Sequence, residues 1–123
     1  MQAGMKRSRG ADTEAFDRDH LDHYTMQNQQ LAGEVLGLFL AQLPLTLQLI
    51  EVAGATEEWK FATHTLKGSS AAVGAWKLHH LAADLEAMGF PADQNVRLLR
   101  IQALKAAVAE FRHVARGAYP CIV

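Results

Sequence analysis

Residues 56–74 read TEEWKFATHTLKGSSAAVG, and their apolar side chains recur at the three- and four-residue spacing of an amphipathic helix. Thr56 is expected to cap the start of this helix, where the acidic side chains of Glu57 and Glu58 also suit the helix dipole. Gly74 is expected to end the helix in the left-handed conformation that glycine adopts without strain. The stretch therefore predicts one complete helix.

A helical wheel separates this helix into a core face and an outer face. At about 100° per residue, the predicted core face consists of Trp59, Ala62, Leu66, Ser69 and Val73. His64 falls on nearly the opposite face, with Lys60 and Lys67 beside it and the small residues Gly68 and Ala71 nearby. The wheel thus predicts an exposed histidine in the middle of a helix. Phe61 falls at the border of the two faces, where it could pack against the protein or contact a partner, and packing is the expectation.

The surroundings of His64 suit the transfer of a phosphoryl group. An exposed imidazole is a nucleophile, the two lysines can offset incoming negative charge, and in-line transfer also needs room for the donor. Glycine inside a helix costs on the order of 1 kcal/mol relative to alanine. The cost of a glycine at position 68 is explained if Gly68 lets another molecule come close to His64.

The rest of the chain also has helical periodicity, and no segment has the two-residue alternation of a strand. A short helix is predicted at Asp17–Met26, with Phe16, Leu21 and Tyr24 on its inner side. A longer helix is predicted from the N-cap Asn28 to about Val52, and its predicted core stripe is Leu31, Val35, Leu38 and Phe39. Pro44 is expected to kink or weaken this helix, because it lacks an amide donor.

Two more helices complete the prediction. One covers about Ala75–Met88 and is closed by Gly89 and Pro91, and the other runs from Asp93 to about Arg116. The fold class is therefore all-α: an antiparallel four-helix bundle with a short additional N-terminal helix. Residues 1–15 are expected to be a flexible leader, residues 16–117 the bundle, and residues 118–123 a tail. One bundle would bury all four apolar stripes, so a monomer is expected.

Composition excludes several classes of function. Twelve basic and thirteen acidic side chains leave a net charge of −1, which argues against nucleic acid as a partner. Lys6, Arg7 and Arg9 precede no apolar run, and the apolar stretch 35–50 is too short to span a bilayer. No membrane partner is therefore expected. The single cysteine, Cys121, weakly favours a reducing, cytoplasmic compartment. No metal-ligand pattern, phosphate-binding loop or other cofactor motif is present, so neither a metal nor a cofactor is expected on this chain.

The sequence resembles the histidine-containing phosphotransfer (HPt) domain family. The resemblance rests on the run His64-Thr65-Leu66-Lys67-Gly68-Ser69-Ser70, followed by Gly74-Ala75, Leu78 and Leu85-Glu86, and it extends over about residues 16–116. It implies that His64 is the phosphoacceptor through its outer ring nitrogen. It also implies that Lys67 assists electrostatically and that Gly68 clears the docking surface. Lys60 and Ala71 are added to that surface from the wheel alone.

The resemblance also implies partners and a reaction. A phosphoryl group would arrive from an aspartate on the receiver domain of a hybrid sensor histidine kinase and leave for the receiver of a response regulator. The required Mg²⁺ is expected on the receiver domain. The chain has no ATP-binding segment, so it is expected to be a transfer intermediate rather than a kinase. A non-catalytic helical adaptor is the alternative, although the intact motif argues against it. The dimerising hairpin of a sensor kinase is disfavoured, because Thr65 follows His64 where that family has an acidic residue.

Overall fold

The computed structural model describes residues 14–119, and this part of the chain contains five helices and no strand. The helices are α1 Arg18–Tyr24, α2 Gln29–Val52, α3 Thr56–Val73, α4 Trp76–Met88 and α5 Gln94–Ala118. The predicted all-α class is confirmed. Lys6, Arg7, Arg9 and Cys121, which figured in the expectations on partners and compartment, lie outside the described residues.

The four long helices form a closed bundle. Each long helix packs against the next in sequence, and α2 also packs against α5, while α1 lies across α2 and α3. The connections between the long helices are short, which makes neighbouring helices antiparallel. The largest side chains of the interior are Trp59 and Phe111, which are fully buried.

The sequence located most helix ends. Asn28 caps α2 by accepting a hydrogen bond from the amide of Leu31 at 2.9 Å, and Asp93 caps α5 by accepting from Asn95 at 2.8 Å. The N-cap of α3, however, is Ala55, and Thr56 is already the first helical residue. A side-chain contact outside the helix is made instead by Glu58, whose carboxylate accepts from the amide of Gly54 at 2.8 Å.

Gly74 joins the short first helix to the bundle. It adopts the predicted left-handed conformation, with φ 83°, and ends α3. Its carbonyl oxygen accepts a hydrogen bond from the amide of Asp17 at 2.8 Å. The carboxylate of Asp17 in turn accepts from the indole nitrogen of Trp76 at 3.0 Å, at the start of α4. The N-terminus of α1 is therefore held against the turn between α3 and α4.

The predicted inner faces of α1 and α2 need correction. In α2 the buried side chains include Leu36, Phe39, Leu40, Leu43 and Ile50, whereas Leu31 and Leu38 of the predicted stripe are exposed and Val35 is only half-buried. In the first helical region, Tyr24 is exposed and Thr25 is buried in its place. The expectation that the bundle buries every apolar stripe therefore fails for α2, which is apolar on two faces.

The second helix is also longer than its apolar stretch suggested. It continues through Pro44 and contains 24 residues, so by length and composition it could cross a membrane. The expectation that the stretch is too short was made for residues 35–50 alone, which are only part of this helix. Length and apolar composition are only a weak indication of a membrane span, because the core helices of bundles share both. One side of α2 is packed in the core.

Candidate functional site

The rotation of α3 is fixed by its buried face. That face consists of Trp59, Ala62, Thr63, Leu66, Ser70 and Val73. The indole nitrogen of Trp59 donates to the carbonyl of Leu85 at 2.9 Å, which ties α3 to α4. With this face inward, His64 points outward, and 66% of its side-chain surface is exposed. The exposed orientation that the wheel predicts for His64 is therefore present.

The helical wheel assigned two neighbouring serines to the wrong faces of α3. Ser69, expected on the core face, is exposed, and its hydroxyl donates to the carbonyl of Thr65 at 2.9 Å. Ser70 is fully buried instead. The buried face includes Thr63 and Ser70, and their inclusion shifts its centre away from Ser69.

Glu86 of α4 connects the two charged residues of the predicted site. One of its carboxylate oxygens lies 3.0 Å from Nδ1 of His64, and the other lies 2.7 Å from Nζ of Lys67. Only 17% of the Glu86 side chain is exposed, compared with 33% of Lys67. A single carboxylate therefore holds His64 from one side and draws Lys67 towards the same place.

The charge on Glu86 sets the chemistry of the histidine ring. The hydrogen bond from the Lys67 ammonium lowers the pKa of Glu86 below its ordinary value of 4.5, and the bond with His64 lowers it further, while burial acts in the opposite direction. An ionised carboxylate can only accept hydrogen bonds, so Nδ1 of His64 must carry the proton in this contact. In the neutral ring, the free lone pair is then on Nε2. The arrangement leaves the outer nitrogen available as a nucleophile.

An open depression of about 350 Å³ lies beside the histidine. It is lined by Glu57, Lys60, Phe61, His64 and Glu86. Lys60 is therefore placed next to His64, as the wheel predicts. The expectation that Phe61 packs against the protein is wrong, since 66% of its surface is exposed. An apolar ring and a lysine thus flank the imidazole on the surface that a partner would meet.

The helix beyond His64 has little side-chain bulk. Gly68 is exposed, and a Cβ built on it would meet no atom within 4 Å apart from its own helix. Ala71, almost one turn further, is half-buried. No contact within the described protein therefore requires glycine at position 68. The space above it is open to another molecule, which is the geometry that the sequence predicted for this position.

A second histidine, His79 of α4, contacts the backbone of the α3 segment that carries Lys67. Nδ1 of His79 in α4 lies 2.9 Å from the carbonyl oxygen of Lys67. Since a carbonyl only accepts, His79 donates this bond and its Nδ1 is protonated. The indole of Trp76 contacts the His79 ring edge to face, at 5.7 Å between centroids. The segment of α3 that carries Lys67 is thus fixed to α4 through its backbone as well as through Glu86.

Sequence reasoning missed Glu86 and His79. Glu86 is 22 residues away from His64 in sequence and reaches it from another helix, so the wheel of α3 alone could not place it beside the histidine. The pair Leu85-Glu86 was part of the family resemblance, and this was the available signal. Within residues 14–119, no group of three or more His, Cys, Asp or Glu side chains is placed to hold a metal ion.

Comparisons with known proteins bear on this geometry. The family model of the Hpt domain matches residues 34–114, about two thirds of the chain, and the matched part contains His64, Lys67 and Glu86. The search of curated proteins and the search of solved structures each gave no match. The matched region holds most of α2, all of α3 and α4, and most of α5. On the strength of this match and of the helical bundle that presents His64, the chain belongs to the Hpt domain family.

Proposed function

We propose that this chain is a phosphorelay intermediate that carries a phosphoryl group on Nε2 of His64 between the aspartates of two receiver domains. Membership of the Hpt domain family supports a histidine phosphotransfer role in phosphorelays and interaction with receiver domains. The donor in this proposal is the receiver of a hybrid sensor histidine kinase, and the acceptor is the receiver of a response regulator. We also propose the cytoplasm as the location of the exchange, supported by the single cysteine.

The observation that carries the proposal is the contact between Glu86 and Nδ1 of His64. It fixes the ring on its inner side and leaves Nε2 exposed with its lone pair. A histidine held by one nitrogen with the other facing solvent is oriented for nucleophilic attack. An incidental surface histidine would have no reason to have a carboxylate and an ammonium group arranged behind it.

The proposed reaction exchanges one bond for another. Nε2 of His64 attacks the phosphorus of an aspartyl phosphate, the N–P bond forms as the O–P bond breaks, and the receiver's carboxylate leaves. Transfer to the second receiver runs the same exchange in reverse, with an aspartate oxygen attacking the phosphorus and Nε2 leaving. Neither direction consumes ATP, so the chain acts as a carrier rather than as a kinase.

The flanking groups have separate roles in the proposal. Lys67 assists electrostatically, since its ammonium lies close enough to His64, through their shared partner Glu86, to offset the phosphoryl charge. Lys60, which lines the depression beside His64, helps to attract the acidic surface of a receiver, while the small residues Gly68 and Ala71 leave room for the receiver to dock. The Mg²⁺ that such transfers use is supplied by the receiver, because hard cations need a set of oxygen ligands.

Transfer from a phosphorylated receiver domain tests this function. The full chain is incubated with a receiver carrying labelled phosphate, and we expect label that is lost in acid and kept in base, as for phosphohistidine. His64→Gln should fold as the wild type and remain unlabelled, since the side chain is exposed. His113→Gln, which changes an exposed histidine of α5, is the matched control and should be labelled normally.

The outcomes separate the two classes of function. Label on the His64→Gln variant would place the phosphoacceptor elsewhere. A wild-type chain that binds receivers but never becomes labelled would instead identify the non-catalytic adaptor.

A further inference from the structure

The peptide bond between Lys67 and Gly68 receives a hydrogen bond from outside its own helix. Its carbonyl oxygen lies 2.9 Å from Nδ1 of His79 in α4, and the imidazole is the donor. A carbonyl oxygen inside a helix already accepts from the amide four residues later, and its second lone pair is free for another donor. His79 therefore adds a second bond to the backbone of α3 at this peptide.

This peptide bond lies where α3 is intrinsically weakest. Glycine inside a helix costs about 1 kcal/mol relative to alanine, because its backbone has more conformations to lose. Gly68 is the only glycine within α3, and a Cβ built on it would meet no atom within 4 Å apart from its own helix. Neighbouring side chains therefore do not brace the helix at Gly68, whereas the bond from His79 reaches its backbone from the side of α4.

The imidazole of His79 is itself held in place. The indole of Trp76, at the start of α4, contacts it edge to face with 5.7 Å between the ring centroids. The indole nitrogen donates to the carboxylate of Asp17 at 3.0 Å, and the ring of His20 packs on the indole with 4.9 Å between centroids. A donor whose position is already fixed loses little conformational freedom when it makes its bond.

His79 and Glu86 act on the same segment of α3 from one face of α4. They are seven residues apart, so two turns of the helix bring them to the same side. Glu86 holds the side chains of His64 and Lys67, whereas His79 holds the main chain of Lys67. The position of the Lys67 ammonium group thus depends on two contacts, one at its side chain and one at its backbone.

We propose that His79 is a positioning residue for phosphoryl transfer, because its bond to the Lys67 carbonyl keeps α3 regular at Gly68. The helix can then be bare at Gly68, where a partner comes close, while His64 and Lys67 keep their places. The inference rests on the proposed phosphotransfer function and adds a residue to it. His79 acts through the backbone of α3 and not on the reacting atoms.

Two variants of nearly the same shape test the role of the donor. His79→Asn keeps an N–H group close to the place of Nδ1, whereas His79→Leu has the same branching and no donor. We expect His79→Leu to slow phosphorylation of His64 by phosphoramidate by about 10-fold, less than the about 100-fold that a misplacement of about 1 Å can cost. His79→Asn should retain most of the rate. Circular dichroism checks the fold, and His79→Ala, which adds no bulk, replaces His79→Leu if that variant does not fold.

Amide hydrogen exchange tests the same contact in the protein without a phosphoryl group. His79→Leu should speed exchange of the α3 amides that follow Gly68 by about fivefold, as expected for the loss of one hydrogen bond of about 1 kcal/mol. A general loss of stability would instead speed exchange in α5 as well. His79→Asn should restore the slow exchange, because the donor is present again.

The link with Gly68 is tested in a Gly68→Ala background. Alanine is the better helix former, so α3 needs less bracing at this position. The loss of phosphoramidate rate caused by His79→Leu should therefore fall from about 10-fold to about twofold. Each ratio is taken within one background, so any effect of Gly68→Ala on its own cancels.

Three results would overturn the positioning role of His79. They are unchanged rate and exchange in His79→Leu, equal losses in His79→Leu and His79→Asn, and a loss in the Gly68→Ala background as large as in the wild type. The second of these would assign His79 to packing of its ring. A wild type that takes no label from a receiver would overturn the proposed function instead, and the exchange experiment would still decide whether His79 braces α3.

Discussion

The main-chain oxygen of Asp17 occupies the space that a side chain on Gly74 would need. A Cβ built on Gly74 would lie 2.6 Å from this oxygen, closer than real contacts allow, and the same two residues are joined by the 2.8 Å hydrogen bond from the Asp17 amide. The positive φ of Gly74 adds a second reason for glycine. The contact between α1 and the bundle therefore depends on the absence of one methyl group.

We expect Gly74→Ala to lower the free energy of unfolding by about 3 kcal/mol, from the left-handed strain together with the displaced Asp17 backbone. Urea unfolding followed by circular dichroism measures this change. Gly68→Ala is the control, since no atom lies near its Cβ, and it should raise stability by up to about 1 kcal/mol. Equal effects of the two substitutions would mean that the Asp17 contact does not hold α1.

Removing the carboxylate behind His64 should change the protonation and orientation of the imidazole ring. We expect Glu86→Ala to slow phosphorylation of His64 by about 10- to 100-fold, by analogy with the loss of the group that orients a metal-binding histidine. Nitrogen chemical shifts of the imidazole should show a loss of the form protonated on Nδ1, a change that a purely structural role would not produce. Glu86→Gln keeps an acceptor oxygen and should retain more activity than Glu86→Ala. Unchanged imidazole shifts in Glu86→Ala would contradict the positioning role.

Acid should break the ion pairs that Glu86 forms with Lys67 and His64. The pKa of Glu86 is lowered by Lys67 and His64, so its ionised form stabilises the folded protein above the ordinary value of 4.5, and this contribution is lost as the pH falls through the lowered pKa. Urea unfolding of the wild type and of Glu86→Gln should therefore differ at pH 6, and the difference should disappear at pH values below the lowered pKa of Glu86. A difference that persists at the lowest pH would show that the stabilisation does not come from the ionised carboxylate.

A larger side chain at position 68 should distinguish docking of a receiver domain from the phosphorylation reaction at His64. We expect Gly68→Gln to leave the bundle as stable as the wild type or slightly more stable, since glycine is the poorer helix former. Transfer from a receiver domain should become much slower, because a side chain one turn beyond His64 would stand in the path of the partner. Phosphorylation by a small donor such as phosphoramidate should change far less. Equal losses with both donors would mean that Gly68 supports the histidine itself.

The sequence correctly predicted features that are determined within a single helix. The caps at Asn28 and Asp93, the left-handed Gly74 and the outward direction of His64 follow from local chemistry and from the period of one helix. Thr56 was misassigned because the side-chain contact at that helix start comes from Glu58, one turn inside the helix, which a search for a hydroxyl cap does not consider.

Contacts between two helices could not be predicted from the periodicity of a single helix. Glu86 reaches His64 only because Trp59 and Leu85 bring α3 and α4 together in one particular register. The inner face of α2 was misassigned for a different reason. Both of its faces are apolar, so periodicity selected the stripe through Leu31 and Leu38 and had no means to tell it from the buried one.

The proton that Glu86 holds on Nδ1 of His64 also bears on how readily the proposed phosphohistidine gives up its phosphoryl group. With that proton in place, the phosphorylated ring is cationic, and breaking the N–P bond releases a neutral imidazole rather than an imidazolate anion. A neutral imidazole is the far better leaving group. The carboxylate that orients the nucleophile on arrival would thus keep the group-transfer potential high afterwards, so that the same contact would serve both halves of the relay.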